Sequence, residues 1–194
     1  DWFPNGVDST FFAPDGTEYD ADQLCFVGRM DYYPNQECMF EFCAKTWPLI
    51  RQRRPSMRLA IVGADPSPAV RRLGELPGVT VTGSVPDVRP YVRKSTQNKI
   101  LEGMALGVPV VSSSVAAGGA DAVAGEHLAV ADAPQDVAAA VLRIAGDPTE
   151  RNRLAQAGRE RMLSHHAWPE SMKRLDGIID RCLERSGAFT GQSS

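Results

Sequence analysis

The stretch Gln97-Asn98-Lys99-Ile100-Leu101-Glu102-Gly103-Met104-Ala105-Leu106-Gly107-Val108-Pro109-Val110-Val111 decides the fold. It reads as an amphipathic helix, a glycine stop and a buried strand, the order in which an α/β domain hands its chain from a helix to the next parallel strand. Polar groups crowd its start. A helix entered through Ser95, Thr96 and Asn98 offers unpaired backbone N–H groups and the positive end of its dipole, where a phosphate can sit. Lys99 adds a mobile positive charge, and Glu102, one turn on, shares the face from which a carboxylate accepts hydrogen bonds from sugar hydroxyls. The same residues also read as an ordinary C-cap at Gly107, an ordinary buried strand and a solvated carboxylate at Glu102.

Outward from this stretch, strands and helices alternate. Leu24-Cys25-Phe26-Val27-Gly28 is a buried strand, followed by a helix over residues 36–53 with Phe40, Cys43, Trp47 and Ile50 on one face. Arg58 to Gly63 is a second strand, Pro68 to Leu76 a short helix, and Val79 to Gly83 a third strand; each strand ends in glycine, where backbone can turn sharply or approach a ligand. Pro86 to Lys94 makes a helix that runs straight into the next one, although a right-handed crossover demands a strand between them. A strand and a loop are therefore expected to be missing between Lys94 and Ser95. Val108 to Ser112 and His127 to Val130 are strands, and residues 134–145, 148–163 and 168–185 are helices with Asp147-Pro148 and Trp168-Pro169 as start signals. The expected organisation is a lead-in over residues 1–20, a domain with a parallel, doubly wound sheet over 21–165, a C-terminal helix over 166–186 and a disordered tail over 187–194.

The 194 residues suffice for one well-cored α/β domain but are short for two nucleotide-binding ones. A net charge of −3 gives no reason to invoke nucleic acid or an acidic membrane as a bulk partner. Arg51, Arg53 and Arg54 read as a solvated cluster at a helix C-terminus. Cys25, Cys38, Cys43 and Cys182 have neither C-x-x-C nor zinc spacing, which fits a reducing compartment. No run of roughly 20 apolar residues marks a membrane span and the opening Asp1-Trp2-Phe3-Pro4 shows no basic-then-apolar signal, so cytoplasm is the default location; a start at Asp1 also reads as a fragment.

The opening stretch resembles the E-A-M-A-x-G-x-P-V-V signature of retaining glycosyltransferases with the two-domain GT-B fold, family 4 in particular. Gly28-Arg29 is similar to the start of that family's G-R-x-x-x-x-K-G motif, although Tyr33-Pro34-Asn35-Gln36 stands where its lysine is expected. Asp31-Tyr32-Tyr33-Pro34-Asn35 and Val85-Pro86-Asp87-Val88-Arg89-Pro90-Tyr91 resemble a narrower branch, the sugar transferases associated with exosortase and exopolysaccharide loci. The resemblance runs from about Asn5 to about Trp168. It implies the C-terminal, donor-binding half of a GT-B enzyme. Arg29, Lys99 and the N–H groups near Asn98 would stabilise charge on the leaving diphosphate, Glu102 would bind the ribose, and the Gly83-Ser84-Val85 loop would touch the base through backbone.

On that resemblance the donor is a nucleoside-diphosphate sugar, UDP- or GDP-linked in preference to ADP-linked, with no further cofactor and no metal. A glycan or lipid-linked acceptor would be held by a missing N-terminal domain, through which peripheral membrane contact is open, and the fragment alone would catalyse little. No Asp-x-Asp, G-x-G-x-x-G or nucleophile-elbow pattern is present. His165-His166 reads as a helix-terminal pair, its imidazolium favoured by the dipole, rather than as metal ligands. Two other classes stay open: a sugar-nucleotide 2-epimerase of the same fold, and a non-catalytic nucleotide-binding or scaffold module.

Overall fold

A computed structural model describes residues 6–93, 95–97 and 99–190. Four parallel strands, β1 (Gln23–Val27), β2 (Arg58–Val62), β3 (Val79–Gly83) and β4 (Thr96–Gln97), form one sheet in the order β3-β2-β1-β4. A second parallel pair joins β5 (Val111–Ser112) to β6 (Ala129–Val130). The alternation read from sequence is thus present, divided between two ladders.

Helices cover both faces because β1 and β2 are apolar on both. Leu24 and Phe26 point to one side, into a cluster with Met39, Trp47, Ile50, Ile61 and Val141. That layer comprises α1 (Tyr33–Glu41), a π-helical turn (Phe42–Thr46), α2 (Trp47–Arg53) and α7 (Pro134–Gly146). Cys25 and Val27 point the other way, with Ala60 and Val62, against Val85, Val88 and Tyr91 beside α4 (Arg89–Val92). Fully burying each large apolar side chain contributes about 1.5–3 kcal/mol. Trp47 sinks its ring while Nε1 donates to Pro77 O at 3.1 Å, so its one polar atom is satisfied.

Residues 36–53 form a continuous helical run beginning earlier, at Tyr33, and containing a π turn. Pro48 explains the turn: it has no N–H to give the carbonyl four residues back, and Trp47 N–H reaches instead to Phe42 O, five residues back. After α3 (Pro68–Arg72) the chain tightens into a 3₁₀ turn (Leu73–Glu75).

The opening stretch needs correcting at its start. Thr96 and Gln97 pair in register with Leu24 and Cys25, so a two-residue strand stands where the sequence reading found none and Gln97 is not helical. Ser95 is buried and its hydroxyl donates to Tyr91 O at 2.8 Å, closing α4 rather than opening the next helix. That helix, α5, is Ile100–Ala105, and Gly107 ends it at φ 67. Asn98 and Lys94 lie outside the described residues.

The run after β5 forms α6 (Ser114–Gly118), with the Ser113 hydroxyl accepting Ala116 N–H. Asp147 caps α8 (Pro148–His165) by accepting the N–H groups of Thr149 and Glu150. The last helix, α9 (Trp168–Thr190), continues through Gly187 to Thr190, which had been assigned to a disordered tail; residues 191–194 lie outside the description. The described part of the lead-in packs on the domain: Val7 N–H donates to His166 O at 2.7 Å, and Arg89 lies over the Phe11 ring at 4.0 Å. Among the described residues no helix is long and apolar enough to cross a membrane.

Candidate functional site at the carboxyl edge of the sheet

In a parallel sheet the loops after the strands converge at one edge, where open α/β folds bind ligands. Three glycines stack there. Gly28 N–H donates to Val62 O at 3.0 Å, and Gly63 N–H to Gly83 O at 3.3 Å, which carries the ladder past the strand ends. A Cβ on Gly63 would lie 1.7 Å from Gly28 O, and one on Gly28 would lie 2.7 Å from Asn35 Nδ2. Gly83 differs: its φ is 73, and nothing lies within 4 Å of where a Cβ would stand, so the space above it is open. Ser84 is exposed, whereas Val85 tucks its side chain among Cys25, Ala60 and Val62, leaving backbone as what this loop presents. Thr82 lies within β3 rather than in a turn, its hydroxyl donating to Gly83 O at 2.9 Å.

Arg29 stands out from the edge with 69% of its side chain exposed, but its fork is engaged. Nε and Nη2 meet the two oxygens of Asp31 at 3.0 and 2.6 Å, with Asp65 at 3.7 Å. The guanidinium hydrogen bonds hold the Asp31 carboxyl below its usual range, and Asp31 in turn raises Arg29. Asn35 Nδ2 donates to Arg29 O at 2.9 Å and pins the loop. Asp31, Asp65 and Asn35 had no assigned role in the sequence reading; an aspartate two residues after an arginine was the available signal, while Asp65 reaches the site through a turn with φ 54 that leaves no such pattern.

Lys99 occupies the N-cap of α5 in extended conformation without a side-chain cap bond. Its Nζ lies 3.4 Å from Glu102 Oε1, and the two side chains are 44% and 31% exposed. Lys99 and Glu102 are therefore one unit at this edge and Arg29, Asp31 and Asp65 another. Because β1 and β4 pair in parallel, the chains that lead to the two units leave the sheet at the same edge.

The remaining candidates fall elsewhere. His127 Nδ1 accepts Val123 N–H at 2.9 Å. At the end of α8, burial and then Arg161 and Arg174 push the His165 imidazole down, so the neutral ring is favoured there rather than the expected imidazolium. Arg51 and Arg53 lie in the last turn of α2 and Arg54 pairs with Asp22, in keeping with a surface cluster. Among the described residues no three His, Cys, Asp or Glu side chains gather as a metal site would require.

Residues 21–147 match the family model described as glycosyl transferases group 1. No curated protein matches the sequence. Several solved structures match the fold. HepE from Anabaena, crystallised in complex with UDP and glucose, superposes with a TM-score of 0.73 at 14% identity over 92% of this chain and 56% of its own. Sucrose-phosphate synthase from Thermosynechococcus elongatus gives 0.69 at 23% identity over 94% of this chain and 52% of its own. The C-terminal domain of LpcC, a group 1 glycosyl transferase from Francisella tularensis, gives 0.65 at 17% identity over 84% of this chain and 100% of its own. The chain thus spans about half the length of HepE and of the synthase and the whole of an isolated C-terminal domain, and its fold is the C-terminal half of the GT-B architecture. It belongs to the group 1 glycosyl transferases.

Proposed function

We propose that this chain is the donor-binding half of a family 4 glycosyltransferase that moves a hexose from a nucleoside-diphosphate sugar with retention of configuration. The supporting observation is the parallel pairing of β1 with β4, so that the chains leading to Gly28-Arg29 and to Lys99–Glu102 leave the sheet at the same edge. Cationic groups there suit a diphosphate, whose negative charge grows as the glycosidic bond breaks. Glu102 would accept from the ribose hydroxyls, with Lys99 released from it to the phosphates; Asn98 is assigned to the same phosphates. The open space above Gly83 would take the base, against the backbone of Ser84 and Val85.

The donor would be a UDP- or GDP-sugar, in line with the UDP and glucose held by HepE. The acceptor, a glycan or a lipid-linked sugar of the exosortase and exopolysaccharide type, would be held by a further domain, and the chain alone would bind nucleotide and transfer little. A cytoplasmic location, with membrane contact through that domain, completes the proposal.

Calorimetric titration of UDP, GDP and ADP tests it. UDP or GDP should bind more tightly than ADP. Glu102→Ala should weaken that binding about tenfold, the worth of a charge-assisted hydrogen bond, while leaving the melting temperature nearly unchanged. No heat from any of the three, or a variant that loses stability in place of affinity, refutes the assignment.

A further inference from the structure

A second cavity, of about 190 Å³, lies away from the carboxyl edge, where α5 ends and the chain approaches the start of β5. Its wall includes Asp15, Thr17, Tyr19, Arg93, Arg151 and Asn152. Two guanidinium groups thus face one small polar space. Arg93 is only 17% exposed; it donates to Asp15 Oδ2 at 2.5 Å and to Ala13 O at 3.1 Å. Asp15 is further engaged by the N–H and hydroxyl of Thr17, which hold its carboxyl below the usual range together with Arg93. Arg93 and Asp15 therefore neutralise one another.

Arg151 has no such partner. Its guanidinium lies over the Tyr19 ring at 4.5 Å and gives one long hydrogen bond, 3.3 Å, to Ile144 O; among the described residues no carboxylate pairs with it. The Nε–H groups of both Arg93 and Arg151 are buried with no acceptor. These two buried N–H groups add positive potential beside the cavity, and the donors that Arg151 has to spare suit an acceptor-only, negatively charged occupant.

We infer that this cavity is a binding site for a small oxyanion, a phosphate or a phosphomonoester, held by Arg151 with Asn152 and bordered by the Arg93–Asp15 pair, whose carboxylate Thr17 keeps occupied. A planar guanidinium gives two parallel hydrogen bonds to such a group, and stacking on Tyr19 fixes its plane beforehand. The volume suits a phosphoryl group with a short substituent. The site is separate from the one assigned to the sugar donor: α5 carries Lys99 and Glu102 at its start and meets this cavity at its end.

The test follows the arginine Nε–H resonances of the protein by NMR while inorganic phosphate, and separately glycerol 3-phosphate, is added at constant ionic strength. The Arg93 and Arg151 signals should shift together and saturate with at least one of the two. Arg151→Met should weaken that binding at least tenfold, and Arg151→Lys, which keeps the charge but loses the fork, should fall between. Lys99→Ala should titrate like wild type, which separates this site from the donor site. Unmoved Arg151 signals with both anions in the wild-type protein, or an Arg151→Met protein of unchanged circular dichroism that titrates like wild type, overturns the inference.

Discussion

Gly63→Ala is the most informative single change to the scaffold of the site. The added Cβ would fall 1.7 Å from Gly28 O, where side-chain carbons essentially never come nearer than 3.0 Å, so the Gly28-Arg29 backbone must retreat by about 1.3 Å. Backbone cannot yield as a flexible side chain does. Overpacking of this kind costs about 1–3 kcal/mol, and stretching the Gly28–Val62 and Gly63–Gly83 hydrogen bonds adds about 1 kcal/mol, for a total of about 2–4 kcal/mol. In a chain of this size that lowers the melting temperature by about 5–15 °C. Gly83→Ala is the matched control: it meets open space but must hold φ 73, a cost of about 1–2 kcal/mol and a fall of about 2–8 °C. Scanning calorimetry of the three proteins measures both. A Gly63→Ala protein melting within 2 °C of wild type, or less destabilised than Gly83→Ala, would refute the argument from close approach.

Freeing Arg29 by Asp31→Asn should raise UDP affinity a few-fold at low salt, with the gain vanishing at high salt, while Arg29→Ala lowers it; calorimetric affinities unchanged in both variants would remove Arg29 from the diphosphate site. Acid should destabilise the fold through its capped and paired carboxylates. Arg89 hydrogen bonds hold Asp87, and the Ser114 N–H holds Asp132, below the usual carboxylate range. Their stabilisation is complete above the unfolded value of about 3.9 and is lost as the pH falls through the lower folded values. Urea midpoints should hold level down to about pH 5 and then drop, and Asp87→Asn with Asp132→Asn should flatten that fall; an unchanged slope in the double variant contradicts the assignment.

What the sequence disclosed depended on whether side chains or neighbours fix the structure. β1 and β2 were legible as apolar runs buried on both faces, β3 by its Val-Thr alternation, and all three by the glycine at their ends. Lys99 and Glu102 were legible as a pair because their spacing along a helix is local. β4 was not: Thr96 and Gln97 carry no strand pattern, and they are extended because Leu24 and Cys25 offer a parallel edge. The π turn escaped because Cys43, Trp47 and Ile50 still come out buried at ordinary helical spacing, and the wider turn betrays itself only through Pro48. α6 escaped because Val115-Ala116-Ala117-Gly118 is too short to show a period, and its one signal is the capping Ser113. The engagement of Arg29 by Asp65 joins the ends of two strands, a proximity that only the folded sheet creates.

The division of the strands into a ladder of four and a ladder of two has an evolutionary consequence. In an unbroken sheet, adding or removing residues in one crossover shifts pairing in the strands on either side. Here β4 is a two-residue edge strand and β5 pairs in the other ladder, so the chain from α4 to α5 skirts the boundary between the two ladders. Length changes in that crossover leave the registers of β1, β2 and β3, and of β5 with β6, untouched. This edge of the sheet is where segments can be gained or lost while the surrounding architecture persists, and it adjoins the candidate site.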